Sequence, residues 1–186
     1  MERPVRLALV IAVVFSFVAV DQLTKVVAIH TLAPENRVIA FPESWRPDDL
    51  FRFQYAENKG AFLSLGSRLS DGARFWVLTG LNGVILVVVA GYVLGKQRLH
   101  TGVTVALALI LAGGVGNLID RVFRDGRVID FMNMGVSVGP WSVRTGIFNI
   151  ADLAIVGGLV LLVAVESRPA RGEIPVGGAK ENAREG

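Results

Sequence analysis

The chain has 186 residues, of which 52% are hydrophobic and only 19% charged, with a mean hydropathy of +0.53. That is too apolar for an ordinary soluble domain of this length and points to a membrane protein. The formal net charge of +3 comes without the dense basic run that nucleic acid binding needs, and the absence of cysteine excludes disulfides, thiol nucleophiles, thiolate metal sites and a lipidated cysteine on the chain itself.

Crossing ~30 Å of hydrocarbon takes roughly 20 helical residues, and four segments qualify. The first runs from about Val5 to Ile29. Its charged start and apolar stretch from Leu7 to Val20 are like those of a cleaved secretory signal, but three further spans favour a retained first helix. Asp21 and Lys25 lie in its outer third, four residues apart on one face, where they can pair. They are read either as an ion pair reaching for the headgroups or as the brace of a polar site.

A polar loop over about 30–74 follows. Leu50 to Tyr55 alternates as a strand does, Ala56 to Gly66 is a glycine-punctuated turn, and Arg68 to Trp76 has the character of a short interfacial helix. The second span covers about Phe75 to Leu94 and the third about Gly102 to Ile119, joined by a short loop carrying Lys96 and Arg98. The third contains Gly113, Gly114 and Gly116, which allow close approach of a neighbour, and then Asn117 and Asp120 three apart on one face. A second outer loop, about 121–147, holds the Asp125-Gly126 turn and Asp130. The fourth span, about Phe148 to Val165, opens with Asn149 and Asp152 and carries Gly157 and Gly158; the charged tail 167–186 reads as flexible.

Orientation follows from the basic residues. Arg3 and Arg6 precede the first span, Lys96 and Arg98 fill the short loop, and Arg168 and Arg171 follow the fourth, so both termini are expected in the cytoplasm and both long loops outside. Up-down threading then carries Asp21, Asp120 and Asp152 to one membrane depth. Each ionised group there costs roughly 2.5–3.5 kcal/mol, so their convergence argues for a site.

The side-chain inventory narrows its chemistry. Two histidines, His30 and His100, are too few and too far apart for a triad or a histidine zinc site on the outer face, and a Ser/Lys dyad of Lys25 with Ser64 or Ser16 is spoiled by Asp21 at i−4, which holds the lysine charged. Carboxylates remain. Two of them in a low-dielectric pocket share a proton and so pair a general acid with a general base, as in aspartic proteases, with the asparagines as fixed hydrogen-bond partners. The residues by themselves do not choose between Asp120 and Asp130. A proton relay or transporter, and a non-catalytic binding or assembly subunit, are the competing readings.

Five boxes in order then carry a resemblance: Asp21-Gln-Leu-Thr-Lys25; Asn58-Lys-Gly60-Ala61; Gly113-Gly-Val-Gly-Asn117-Leu-Ile-Asp120-Arg121; Gly126-Arg-Val128-Ile-Asp130-Phe131; and Phe148-Asn149-Ile-Ala151-Asp152. Together they resemble bacterial lipoprotein signal peptidase (signal peptidase II) over nearly the whole chain to Glu166. The resemblance implies an all-α membrane protein, a single peptidase domain over 1–166 with four transmembrane helices and a small β-rich cradle on the outer, periplasmic face. It implies an aspartyl endopeptidase of the inner membrane that removes the signal peptide from prolipoproteins, cutting just before a diacylglyceryl-modified cysteine. Asp130 and Asp152 are the implied catalytic pair. Asp21, Lys25, Asn58, Gly60, Asn117, Asp120, Arg121, Asn149 and Ala151 are the supporting or substrate-binding residues, with Asp120-Arg121 a supporting pair. No metal or cofactor is implied. The expected partners are diacylglyceryl-modified prolipoproteins and membrane lipids, with no nucleic acid, and the protein is expected to be a monomer with its site near the outer leaflet.

Overall fold

In the computed structural model, residues 1–41, 50–60, 70–138 and 141–167 are described. Of the expected turn from Ala56 to Gly66 and interfacial helix from Arg68, residues 61–69, the serine at 64 included, lie outside them, as does the tail from 168 onward. The elements run α1 (Arg3–Leu32), β1 (Val38–Phe41), β2 (Phe51–Asn58), α2 (Asp71–Gly95), α3 (Thr101–Phe123), β3 (Val128–Val138), β4 (Trp141–Arg144) and α4 (Ile150–Glu166).

Local signals explain the helix boundaries. Pro4 stands in the first turn of α1, where its missing N–H costs nothing. Ser70 caps α2 by accepting from the Ala73 amide at 3.3 Å, and His100 caps α3 through its Nδ1, 3.1 Å from the Gly102 amide. The segment Asp71 to Trp76, expected as part of a separate interfacial helix, is therefore the opening of α2: the Ser70 cap starts one continuous helix there. At the end of α3, Asp125 (φ 52°) and Gly126 (φ 81°) take left-handed conformations, and the Gly126 amide donates to the Arg121 carbonyl at 2.8 Å. This closure satisfies a terminal carbonyl and reverses the chain into β3.

Among the described residues, α1, α2 and α3 are long and apolar enough to cross a membrane. The shorter α4, with 17 residues, packs along α3. The outward faces of α1 and α2 are strongly apolar: Phe15, Trp76 and Val87 are more than 70% exposed. A continuous exposed surface of this kind suits hydrocarbon rather than water. Arg6, expected as a flanking charge, is fully buried instead and donates to the carbonyls of Lys96 and Gln97 at 2.5 and 3.2 Å. It ties the start of α1 to the α2–α3 loop, so these two basic segments sit at the same end of the bundle.

The opposite end carries an antiparallel sheet of order β1-β2-β3-β4. The second outer loop is thus mostly strand, and all-α is too narrow a description of the fold. Ala28 and Leu32 of α1 pack against Phe131 and Met132 of β3, which fixes the sheet to the bundle. Between β2 and β3 the register shifts, from Phe53 opposite Met132 to Ala56 opposite Asp130, one extra residue on β2. Because side chains alternate faces, that extra residue decides that Asn58 shares a face with Asp130.

The glycines of α3 do what their spacing predicts. A methyl on Gly113 would run into the Ala151 carbonyl, and one on Gly116 would lie 2.7 Å from Asp21 Oδ2. Gly158 approaches the Ala106 carbonyl in the same way, whereas Gly157 has open space around it. Gly113→Ala is expected to destabilise the protein by ~1–3 kcal/mol through backbone displacement, and Gly157→Ala to leave it unchanged; thermal unfolding in detergent compares them.

Candidate active site

β3 delivers Asp130 and the first turn of α4 delivers Asp152. The Phe131 and Met132 amides both donate to the Phe148 carbonyl, at 3.1 and 2.8 Å, and the Phe148 amide returns a bond to Met132. These bonds lay the start of α4 against β3. Asn149 caps α4: its Oδ1 accepts from the Asp152 amide at 2.9 Å, while Asp152 Oδ2 accepts from the Asn149 amide at 3.2 Å. This is the reciprocal box that satisfies two terminal donors of a helix.

Both carboxylates line one cavity of about 1020 Å³. Its polar end holds Asn58, Asn117, Arg121, Asp130 and Asp152; its apolar walls come from Leu78, Leu81 and Ile85 of α2 and Leu153, Ile155 and Val156 of α4. Asp130 is only 1% exposed. Its Oδ2 accepts from Asn58 Nδ2 at 3.0 Å and its Oδ1 from Asn149 Nδ2 at 2.7 Å. Asp152 Oδ1 accepts from Asn117 Nδ2 at 2.9 Å.

Each of these asparagines is aimed by a donor on its oxygen. Asn58 Oδ1 accepts from the Gly60 amide at 2.8 Å, Asn149 Oδ1 from the Asp152 amide, and Asn117 Oδ1 from Lys25 Nζ at 3.3 Å and Asn149 Nδ2 at 3.1 Å. With the oxygen so occupied, the amide nitrogen must face a carboxylate. Gly60 holds φ 80°, with Leu78 where a side chain would begin, which explains a glycine two residues after Asn58.

Behind this layer, Lys25 pairs with Asp21 Oδ2 and Asp120 Oδ2, each at 2.8 Å, and all three side chains are buried. Asp21 Oδ1 accepts from the Ala151 amide at 2.9 Å and Asp120 Oδ2 from the Ile129 amide at 3.1 Å. Asp120 and Arg121, named together as supporting residues, point to different partners. Consecutive helical residues point about 100° apart, so Asp120 meets Lys25 and, at 3.4 Å, Arg124, while Arg121 faces the cavity and donates to the Asn117 carbonyl at 3.4 Å. His30 and His100 lie in α1's last turn and at α3's cap.

Burial pushes the Asp130 carboxyl up to about 7, the Asp152 charge pushes the same way, and the Asn58 and Asn149 bonds oppose it. Near neutral pH a proton is therefore available on one of two carboxylates that face a common space. Such a pair can hold a general acid beside a general base.

Two polar residues of this region escaped the sequence reading. Asn82 lines the cavity from α2 and donates to the Gly114 carbonyl at 3.0 Å; an amide in an otherwise apolar span is the same signal that drew attention to Asp21. Gln22 donates to Asp21 Oδ2 at 3.1 Å and to the Gly116 carbonyl at 3.2 Å. On the rim, Glu57 accepts from Tyr55 at 2.9 Å and Arg127 at 2.7 Å, which hold its carboxyl below the usual range.

Residues 13–167 match the profile of a family described as signal peptidase (SPase) II. The chain is 36% identical to a lipoprotein signal peptidase of Chlorobium phaeobacteroides, over 81% of this chain and 84% of that protein. It is 35% identical to one of Pelodictyon phaeoclathratiforme, over 89% and 94% respectively, and 34% identical to one of Mycobacterium tuberculosis, over 86% and 71%. Among solved structures it shares its fold with a bacterial membrane enzyme determined by the in meso method at 1.9 Å resolution, with a TM-score of 0.66 and 24% identity over 88% of this chain and 95% of that one.

Proposed function

The chain belongs to the signal peptidase II family, and from that premise we propose that it is a membrane-embedded aspartyl endopeptidase that removes the signal peptide from prolipoproteins, with Asp130 and Asp152 as its catalytic pair. The observation that carries this reading is the placement of those two carboxylates on one cavity wall, each held by an oriented asparagine and joined through Asn149.

The ionised carboxylate takes a proton from water as the water oxygen bonds to the scissile carbonyl carbon, while the protonated one donates to the carbonyl oxygen. The tetrahedral gem-diol then collapses: the C–N bond breaks, the carboxyl that took the water proton gives it to the departing amine, the other carboxylate takes back a hydroxyl proton as C=O re-forms, and the products are a carboxylic acid and an amine, with the pair again sharing one proton. Asn58, Asn117 and Asn149 hold the acids without reorganising during the reaction. The apolar walls from α2 and α4 suit a signal helix and acyl chains entering from the bilayer. The cut falls just before the diacylglyceryl-modified cysteine.

One domain over 1–166 spans the inner membrane of a bacterium four times, α4 included, as a monomer. The Arg6, Lys96 and Gln97 end and the tail 167–186 face the cytoplasm, and the sheet lies near the outer leaflet. Support comes from the basic residues gathered at one end of the bundle and the site at the other.

Purified, detergent-solubilised protein should release the signal peptide from a diacylglyceryl-modified prolipoprotein and leave the unmodified precursor intact, read by gel shift and product mass. Equal cleavage of both substrates would remove the lipid requirement. No cleavage of either by folded protein would favour the assembly-subunit reading.

A further inference from the structure

Lys25 has three N–H donors, and each is spent on a group that leads to the pair: Asp21 Oδ2 at 2.8 Å, Asp120 Oδ2 at 2.8 Å and Asn117 Oδ1 at 3.3 Å. Asp21 holds the amide of Ala151, the residue immediately before Asp152. Asp120 holds the amide of Ile129, the residue immediately before Asp130. Asn117, its oxygen engaged by Lys25, turns its nitrogen to Asp152 itself. The two branches are equivalent: from one ammonium, through one aspartate each, to the backbone one residue short of each reacting carboxyl.

We propose that Lys25 is a positioning residue that sets the separation and orientation of Asp130 and Asp152 by clamping the two backbones that carry them. The inference rests on the reading of those aspartates as the reacting pair. A merely stabilising role explains the arrangement poorly. A buried ion triad loses more solvation than a well-packed apolar cluster of the same volume, so burying one lysine with two aspartates is a weak route to stability. What the triad supplies is direction, since an ammonium with three fixed acceptors holds elements from α1, α3, β3 and α4 in one register. Misplacing reacting groups by about 1 Å costs on the order of 100-fold in rate.

The test separates geometry from charge. The charged groups around Asp130 are Asp152 from α4, Lys25 from α1 and Arg121 from α3, and the Lys25 cation lowers the Asp130 carboxyl's affinity for its proton. Lys25→Arg keeps the charge but replaces three converging donors with a planar fork. It should lower kcat roughly 10- to 100-fold per folded molecule, leave KM unchanged and leave the alkaline limb of the pH–rate profile in place. Lys25→Met should lower kcat as well and move that limb to higher pH. In the wild type, the Ile129 and Ala151 amides should be strongly protected from hydrogen exchange, and both should exchange faster in Lys25→Arg.

Wild-type kcat per folded molecule in Lys25→Arg would overturn the proposal. If neither variant folds, the wild-type exchange decides: rapid exchange at Ile129 and Ala151 overturns it and joint protection upholds it. A failure of the underlying reading looks different, because activity would then survive Asp130→Asn or Asp152→Asn whatever Lys25 does.

Discussion

Asp130→Asn and Asp152→Asn should each lower the rate of lipidated-prolipoprotein cleavage by ~10²–10⁴-fold, the range that a positioned acid or base contributes. Asparagine is nearly isosteric with aspartate, so the fold should survive, but it neither accepts the water proton nor returns one to the product. The loss should fall on kcat, with KM close to wild type, in single-turnover cleavage followed by gel shift. Asp120→Asn serves as the discriminating comparison. Its carboxylate is fully buried against Lys25 and the Ile129 amide and lies behind the cavity, so its loss should act through position and cost less than either member of the pair. Asp125→Asn is the neutral control, because Asp125 is exposed and asparagine tolerates its left-handed conformation. Activity that survives Asp130→Asn but not Asp120→Asn would reassign the pair while keeping the reaction.

The same pair sets the pH dependence. Because burial and the Asp152 charge push Asp130 up to about 7, the rate should fall as pH rises through that region and the shared proton is lost. For stability the sign is the same. A carboxyl raised above its ordinary value of 3.8 contributes fully only below that value, and its contribution is lost as pH rises through about 7.

Much of this arrangement was legible in the residues. The expense of ionised groups at membrane depth singled out Asp21, Lys25, Asp120 and Asp152, and the structure gathers them behind and around one cavity. The Asp125-Gly126 turn was readable because a left-handed helix exit favours that pair of residues. The strand character of 128–138 was not. Val128 to Met132 is buried on both faces, against α1 on one side and the site on the other, so the period-two alternation that marks a half-exposed strand is missing. Helix spacing does imply that Asp120 and Arg121 diverge, since adjacent helical residues point about 100° apart, but it does not say which partner each one meets. The bulge in β2, which brings Asn58 to Asp130, is set by pairing with a strand some 70 residues away and leaves no local signature.

Asn149→Asp should be as damaging as loss of a catalytic carboxyl, although Asn149 itself transfers no proton in the proposed reaction. Its Nδ2 donates to Asp130 Oδ1 at 2.7 Å, to Asn117 Oδ1 at 3.1 Å and to the Ile129 carbonyl at 3.2 Å, and the whole side chain is buried. An ionised aspartate there has no donor for these three acceptors. A third carboxylate would also stand against Asp130 and Asp152 in the same low-dielectric space, where like charges cannot all remain ionised. The new acid can relieve the strain only by taking up a proton, which would compete with the one that Asp130 and Asp152 share. The expected result is a fall in kcat of at least ~10²-fold, with the alkaline limb displaced from its wild-type position. Helix capping should persist, because aspartate caps a helix as well as asparagine does, so the unfolding temperature should fall less than activity does. Asn149→Ser is the informative companion: it keeps a cap and adds no charge, yet is too short to reach Asp130. If the serine variant loses activity while its pH limb stays put, Asn149 acts by holding Asp130 in place; if it retains wild-type activity, the asparagine bridge between the two aspartates is dispensable and the electrostatic part of the argument must stand alone.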